Sequence, residues 1–333
     1  MKKLVFLLLA ISLLSCEKVL IEDMQTKDPV KNFDALWKGV DEGYAFFEFK
    51  NINWDSIYDV YRPQVDAETS DEQLFAIMDD MLFHLRDGHV NLVSPFNQSR
   101  NWEWYLDFPP NFNFDLLQRT YWQDKQRYTG PLTNVIIDSV GYISYSSFSS
   151  TVSDFHIDYV LAVFRVLEVK GIIIDVRDNG GGFTGNGFKI ASRFTDERRH
   201  VYSRRIKNGP GHNDFSELNK AYLEPGGEEQ WTDRVIVLTN RSSYSATNNF
   251  VAIMQALPNV TTIGDWTGGG GGTPAGDELP NGWRYRYSST QTFTPDGFNI
   301  ENGIPPDIRV DITPADILRN KDSILDRALD EFR

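Results

Sequence analysis

The feature that most constrains the fold of this chain is a pair of apolar runs that end abruptly in small or charged residues. Residues 235–238 are Val-Ile-Val-Leu and lead through small polar residues into a helical pattern. Residues 171–182 contain a β-branched run followed by charged residues and three glycines. Such continuous apolar runs are typical of buried parallel strands. Strand and helix patterns alternate from residue 135 onward, so the sequence predicts an α/β core.

Ser245 is a candidate nucleophile because it lies at the predicted corner between strand and helix. At a helix start, free backbone N–H groups and the positive end of the helix dipole favour developing negative charge. A serine in this position is more often an ordinary N-cap, so the corner alone is weak evidence. The glycines at 180–182 strengthen it, since N–H groups of a glycine loop can approach a ligand closely, as an oxyanion hole requires.

Four motifs, taken in order, resemble those of the S41 peptidase family, which includes the C-terminal processing proteases and the tricorn core protease. They are Asp87-Gly-His89, the Asp-x-Arg-x-Asn-x-Gly-Gly run at 175–182, the Ser245-Ala246 step and the Gly-x-x-Pro-Asp segment at 303–307. The resemblance extends from about Asn32 to Phe332. It implies a ClpP/crotonase-like peptidase core preceded by a small N-terminal helical domain. The segment 93–135 is too short for the PDZ domain that many relatives carry.

Members of this family activate the serine with a lysine that follows it or with a histidine far upstream. This chain has no lysine between Lys220 and Lys321, and the position that matches the family's lysine is one of the glycines within 264–272. The resemblance therefore implies His89 as the general base, as in the tricorn-like branch. Imidazole suits proton transfer near neutral pH.

The same resemblance implies the remaining members of the site. Glu301 is similar to the acidic residue that orients the tricorn-type histidine, and Asp87 is a rival for that role. Tricorn-type members have a serine where this chain has Gly88. The oxyanion hole would consist of the backbone N–H of Ala246 together with that of Gly181 or a neighbouring glycine.

Three further positions bear on the site. Arg177 and Asn179 are expected to brace the glycine loop instead of touching substrate. Asn248 stands where many processing-type relatives have glutamate, which leaves the subfamily open. The glycine-rich segment 265–280 is expected to be mobile.

Composition excludes several other functions. The 333 residues are 41% hydrophobic and 13% aromatic, which is ample for a packed core. A net charge of −14 disfavours nucleic acid and anionic membrane surfaces as partners. None of the five histidines has the spacing of a metal site, so neither a metal nor another cofactor is expected.

The N-terminus has the layout of a secretory signal peptide, with two lysines, an apolar run over 4–14 and a small residue before Cys16. Residues 13–16 resemble the bacterial lipobox, which implies that Cys16 is lipidated and anchors the protein in the cell envelope. Cys16 is the only cysteine, so disulfides and cysteine catalysis are excluded. The predicted domains are a signal peptide at 1–15, a lipidated tether at 16–29, a helical domain with the catalytic histidine at 30–92, an irregular connector at 93–134 and the core at 135–333.

These observations predict a lipid-anchored serine endopeptidase that acts on proteins or peptides, with Ser245 as nucleophile and His89 as base. Two alternatives stay open: an inactive relative that binds peptides or hydrophobic ligands, and a serine esterase. An α/β-hydrolase is disfavoured because residues 243–247 lack the glycines that flank the serine in a nucleophile elbow. The sequence does not determine the oligomeric state.

Overall fold

The structure, a computed structural model, describes residues 26–101 and 107–333. Its contacts divide the chain into two compact units. The first unit contains residues 26–101 with Lys207–Phe215 and Pro274–Ser289, and the second contains 107–206, Ser216–Thr273 and Thr290–Arg333. The sequence prediction had assigned both insertions of the first unit to the core. Cys16 and the predicted signal peptide lie outside the described residues.

The α-helices of the described residues are α1 (Pro29–Gly43), α2 (Trp54–Tyr61), α3 (Asp71–Phe83), α4 (Phe114–Leu116), α5 (Asp154–Val166), α6 (Thr184–Ala191), α7 (Ala246–Gln255), α8 (Pro314–Leu318) and α9 (Ser323–Asp330). A π-helical turn, Leu117–Trp122, continues α4, and short 3-10 turns follow α2 and α6. Among these residues, no helix is both long and apolar enough to cross a membrane.

The strands are β1 (Asn91–Val93), β2 (Arg127–Thr129), β3 (Leu132–Ile137), β4 (Val140–Ser144), β5 (Ile172–Asp175), β6 (Arg199–Ile206), β7 (Asn219–Leu223), β8 (Val235–Thr239), β9 (Val260–Gly264), β10 (Pro274–Glu278), β11 (Arg284–Ser288), β12 (Thr290–Phe293) and β13 (Ile308–Arg309).

The first unit packs helices α1 to α3 against a small antiparallel sheet of order β1-β11-β10. Its core is rich in aromatic and aliphatic side chains from these helices, including Phe33, Leu36, Trp54 and Met78. Ser70 is the N-cap of α3 and forms a capping box with Gln73.

The second unit is built on a seven-stranded sheet of order β13-β9-β8-β5-β4-β3-β2, in which β13, β9, β8, β5 and β4 are parallel. Ile172 and Ile174 face one hydrophobic cluster, whereas Ile173 faces the other. Strand β5 is therefore buried on both faces, which explains why its sequence is a continuous apolar run and not an alternating one. The ends of β5 and β8 lead into the two loops that carry the candidate site.

Candidate active site

Ser245 lies at the start of α7, six residues after the end of β8, and its backbone is strained. Its φ is 59° and its ψ is −119°, a combination that residues with a side chain rarely adopt. The Ser245 side chain does not cap the helix. The ordinary N-cap interpretation of this serine is therefore wrong.

Neighbouring loops hold this strained backbone in place. The N–H of Ser245 donates to the carbonyl of Gly269 at 2.8 Å, and the N–H of Tyr244 donates to the carbonyl of Asn179 at 3.1 Å. The hydroxyl of Ser243 donates to the carbonyl of Val176 at 2.8 Å. The corner is thus tied on one side to the loop after β5 and on the other to the glycine-rich segment.

Gly181 lies against the candidate nucleophile. A methyl group added at Gly181 would lie 2.9 Å from Cβ of Ser245, 2.9 Å from N of Ala246 and 2.7 Å from the carbonyl oxygen of Tyr244. Its φ of 101° also disfavours a side chain. Ala246 is the first residue of α7, and its N–H has no hydrogen-bond partner among the described residues. The structure therefore brings Ser245, Gly181 and Ala246 together.

Asn179 is the residue that joins the two loops. Its side-chain oxygen accepts from the N–H of Gly181 at 3.0 Å and from the hydroxyl of Thr247 at 2.8 Å. Its side-chain nitrogen donates to the carbonyl of Tyr145 at 2.6 Å. The prediction that Asn179 braces the loop is confirmed. Because the N–H of Gly181 is already bound, its use as an oxyanion donor requires that this bond be shared or exchanged.

Glu301 is almost fully buried beside the glycine-rich segment. Its Oε2 accepts from the N–H of Gly272 at 3.2 Å, and its carbonyl accepts from the N–H of Gly270 at 2.9 Å. Asn248 fixes this stretch, because its amide donates to the carbonyl of Ile300 at 2.9 Å. All glycines of the run 268–272 are buried, so this part of the segment is packed and does not form an exposed loop.

His89 belongs to the first unit and follows α3 at the start of the small sheet. It is 7% exposed, and its backbone N–H donates to Oδ1 of Asp87 at 2.8 Å. Lys50, which the sequence did not single out, lies with its Nζ 3.8 Å from Oδ2 of Asp87. Burial would raise the pKa of the Asp87 carboxyl, but the charges of Lys50 and His89 and the N–H bond hold that pKa below its usual value. Asp87 is therefore ionised, and its carboxylate holds the backbone N–H of His89.

Lys50 is buried and well bound. Its ammonium donates to the carbonyl of Leu85 at 3.4 Å and to that of Arg86 at 3.2 Å. It thereby closes the turn between α3 and His89. No spacing rule connects Lys50 with a residue 37 positions later in the chain, so a sequence signal for this pair does not exist.

The described residues contain no arrangement of side chains suited to a metal ion. Over residues 26–101 and 107–333, no group of three or more histidine, cysteine, aspartate or glutamate side chains is arranged to hold a metal ion.

Comparison with known proteins finds relatives for both units. The model of Peptidase family S41 matches residues 139–310, and that of the Tricorn protease C1 domain matches residues 26–83. The carboxy-terminal processing protease CtpA of Bacillus subtilis is 26% identical over 176 residues, which are 53% of this chain and 36% of that protease. The chain thus spans about a third of the length of this relative.

Solved structures resemble most of the chain. A candidate peptidase from Parabacteroides merdae is 44% identical, with a TM-score of 0.88, and the match covers 92% of this chain and 97% of that chain. Mature CPAF complexed with lactacystin has a TM-score of 0.68 at 12% identity, over 92% of this chain and 97% of that chain, and shows the fold alone. The predicted fold class, an α/β peptidase core with a helical N-terminal region, is confirmed.

Proposed function

Because the chain belongs to peptidase family S41, we propose that it is a serine endopeptidase that cleaves proteins or peptides through an acyl-enzyme on Ser245. The observation that carries the proposal is the strained backbone of Ser245, held between two loops at a helix start. Strain of this kind persists only where the surrounding structure enforces it, and it concentrates at functional sites.

In the proposed reaction, Oγ of Ser245 attacks the substrate carbonyl carbon and its proton passes to His89. The carbon–nitrogen bond then breaks, and His89 returns the proton to the leaving amine. Water, deprotonated by His89, then attacks the acyl carbon; the bond from that carbon to Oγ breaks, and His89 returns the proton to Ser245 as the carboxylic acid product leaves. The Asp87-Gly-His89 motif and the absence of lysine between Lys220 and Lys321 support this choice of base. Glu301 is proposed to orient His89, while Asp87 holds the backbone of His89.

The oxyanion of each tetrahedral intermediate is proposed to bind the N–H of Ala246 and an N–H of the glycine loop, with Gly181 as the assigned donor. Ala246 suits this role because its N–H lies at the positive end of α7. Loss of one such donor costs roughly a hundredfold or more in turnover.

Labelling with a serine-reactive fluorophosphonate, followed by peptide and ester assays, tests the proposal. We expect Ser245→Ala to abolish labelling and peptide cleavage, and His89→Ala to abolish most turnover, with little further loss in the double variant because the residues act as a unit. Glu301→Gln should give a partial loss. Activity should rise with pH, since only neutral imidazole accepts the serine proton. Hydrolysis of esters but not peptides would identify an esterase, and absence of labelling would identify a binding protein.

Substitutions at two adjacent glycines, Gly181 and Gly180, test the role proposed for the glycine loop after β5. Gly181→Ala would push a methyl group into Ser245 and Ala246, so we expect turnover to fall by roughly a hundredfold. Gly180→Ala is the matched control, because a methyl group there meets nothing within 4 Å. Equal activity of the two variants, both folded by circular dichroism, would remove Gly181 from the site.

We also propose that Cys16 is lipidated and anchors the enzyme to a membrane of the bacterial envelope. The lipobox-like residues 13–16 and the lack of any other cysteine support this. Cys16→Ser should move the protein from the membrane to the soluble fraction. Unchanged fractionation would contradict the anchor without affecting the proposed chemistry.

A further inference from the structure

The residue that follows the glycine loop, Phe183, is a large aromatic side chain exposed to solvent. It is 70% exposed, although its backbone is fixed by a hydrogen bond from its N–H to the carbonyl of Phe148 at 3.0 Å. The ring lies over Gly185, where an added methyl group would come within 2.4 Å of the ring atom Cε1. The ring therefore has a defined position but little cover.

Neither helix formation nor core packing explains a phenylalanine at this position. Phe183 is the N-cap of α6 and makes no side-chain capping bond. Serine, threonine, aspartate and asparagine are strongly preferred at N-caps, because their oxygens accept from the first N–H groups of the helix. An exposed phenyl ring also forgoes the free energy of apolar burial. The fold would be served better by a small polar residue.

Phe183 lies close in the chain to the loop that contacts the proposed nucleophile. It is two residues after Gly181, so its Cα lies at most ~7.6 Å from the Cα of that glycine. Gly181 in turn contacts Ser245 and Ala246. The Phe183 side chain therefore starts from a backbone position close to the proposed nucleophile.

We propose that Phe183 forms an apolar subsite that selects an apolar substrate side chain within two positions of the scissile bond. This inference rests on the proposed peptidase function. An apolar side chain of the substrate covers the exposed ring and removes apolar surface from water, whereas alanine leaves most of the ring exposed.

The test compares peptides and variants in parallel. Fluorogenic peptides of one common sequence carry alanine or leucine at each of the two positions on either side of the scissile bond. We expect the wild-type enzyme to prefer leucine by about tenfold or more in kcat/KM at one of these positions. Phe183→Ser should bring that ratio close to one. It should not lower the thermal midpoint, because serine supplies the missing N-cap.

Phe155→Ser is the matched control, since Phe155 is 68% exposed on α5 and has no assigned role. We expect this variant to keep the wild-type leucine preference. A wild-type enzyme without preference at any of the four positions, or a folded Phe183→Ser that retains it, overturns the inference while the peptidase function stands. Absence of Ser245-dependent cleavage of every peptide overturns the proposed function, and this inference with it.

Discussion

Each unit contains a buried charge cluster just before residues of the proposed site, and the two clusters are built differently. In the second unit, Nη2 of Arg177 lies 2.7 Å from Asp175 and 2.9 Å from Asp322, with all three side chains at most 1% exposed. In the first unit, Lys50 and Asp87 are similarly buried, but their closest charged atoms are 3.8 Å apart. The arginine cluster of the second unit precedes the glycine loop, and the lysine pair of the first unit precedes His89.

The difference lies in what each cation can hold. The planar guanidinium of Arg177 binds both carboxylates and also the carbonyl of Asn111, so it fixes three segments in one geometry. The ammonium of Lys50 donates to two carbonyls and acts on Asp87 mainly as a point charge. We infer that the arginine cluster sets the position of the glycine loop, whereas the lysine keeps Asp87 ionised so that it can hold the N–H of His89.

Removing the arginine should have the largest effect on folding. Arg177→Met would leave two buried carboxylates without their cation, so we expect the free energy of unfolding in urea to fall by about 5 kcal/mol. Arg177→Lys should recover only part of this, because an ammonium cannot bind both carboxylates in the same plane. A loss of less than 1 kcal/mol in Arg177→Met would show that the cluster does not set the fold of this loop.

Removing the lysine should have a smaller effect that depends on pH. Lys50→Met leaves one buried carboxylate, and we expect a loss of about 2–3 kcal/mol at pH 7, below the loss for two carboxylates. In the wild type the pKa of Asp87 is below its reference of 3.8, so its contribution is complete above that pH and is lost as the pH falls through the lower, folded value. In the variant, burial raises the pKa of Asp87. Its charge then destabilises the folded state at neutral pH, and the deficit should shrink as the pH falls.

Lys38→Met is the control for this measurement. Lys38 lies 3.7 Å from Glu42, nearly the same distance as in the buried pair, but the lysine side chain is 68% exposed. Exposed pairs on one helix contribute about 0.5 kcal/mol or less, so we expect almost no change. A deficit in Lys50→Met that does not vary between pH 7 and 4 would contradict the role assigned to Asp87.

Local patterns predicted the parts of the molecule that local patterns determine. The apolar runs of β5 and β8 were located from sequence because such a run is a property of adjacent residues. The predicted core, 135–333, includes the segment of β10 and β11, which belongs to the first unit in the structure. The prediction missed this because Arg286 pairs with Asn91, 195 positions earlier in the chain. Pairing over such a distance leaves no mark on either segment by itself.

The same limit applies to the site. The missing glycines around Ser245 argued against an elbow, yet Ser245 adopts a strained positive φ. The space comes from Gly181, which approaches from another loop. The glycine-rich segment was expected to be mobile because its composition is flexible, but Ser245 and Glu301 bind Gly269 and Gly270 within it. Composition describes what a segment can do alone, and these partners come from elsewhere in the chain.

The smallest expected effect is the difference in backbone strain between Ser245 and His89, measured by glycine and alanine variants at each position. Ser245 has a positive φ, whereas His89 is not among the described residues that do. Glycine at position 245 relieves strain of about 1–3 kcal/mol, against a cost of up to about 1 kcal/mol from the more flexible unfolded chain. Ser245→Gly should therefore be about 1 kcal/mol more stable than Ser245→Ala in urea. His89→Gly should instead be less stable than His89→Ala, by roughly 0.5–1 kcal/mol. If each glycine variant is less stable than the alanine variant at the same position, the loops tied by Asn179 do not hold Ser245 under strain. Backbone strain would then not distinguish Ser245 from His89.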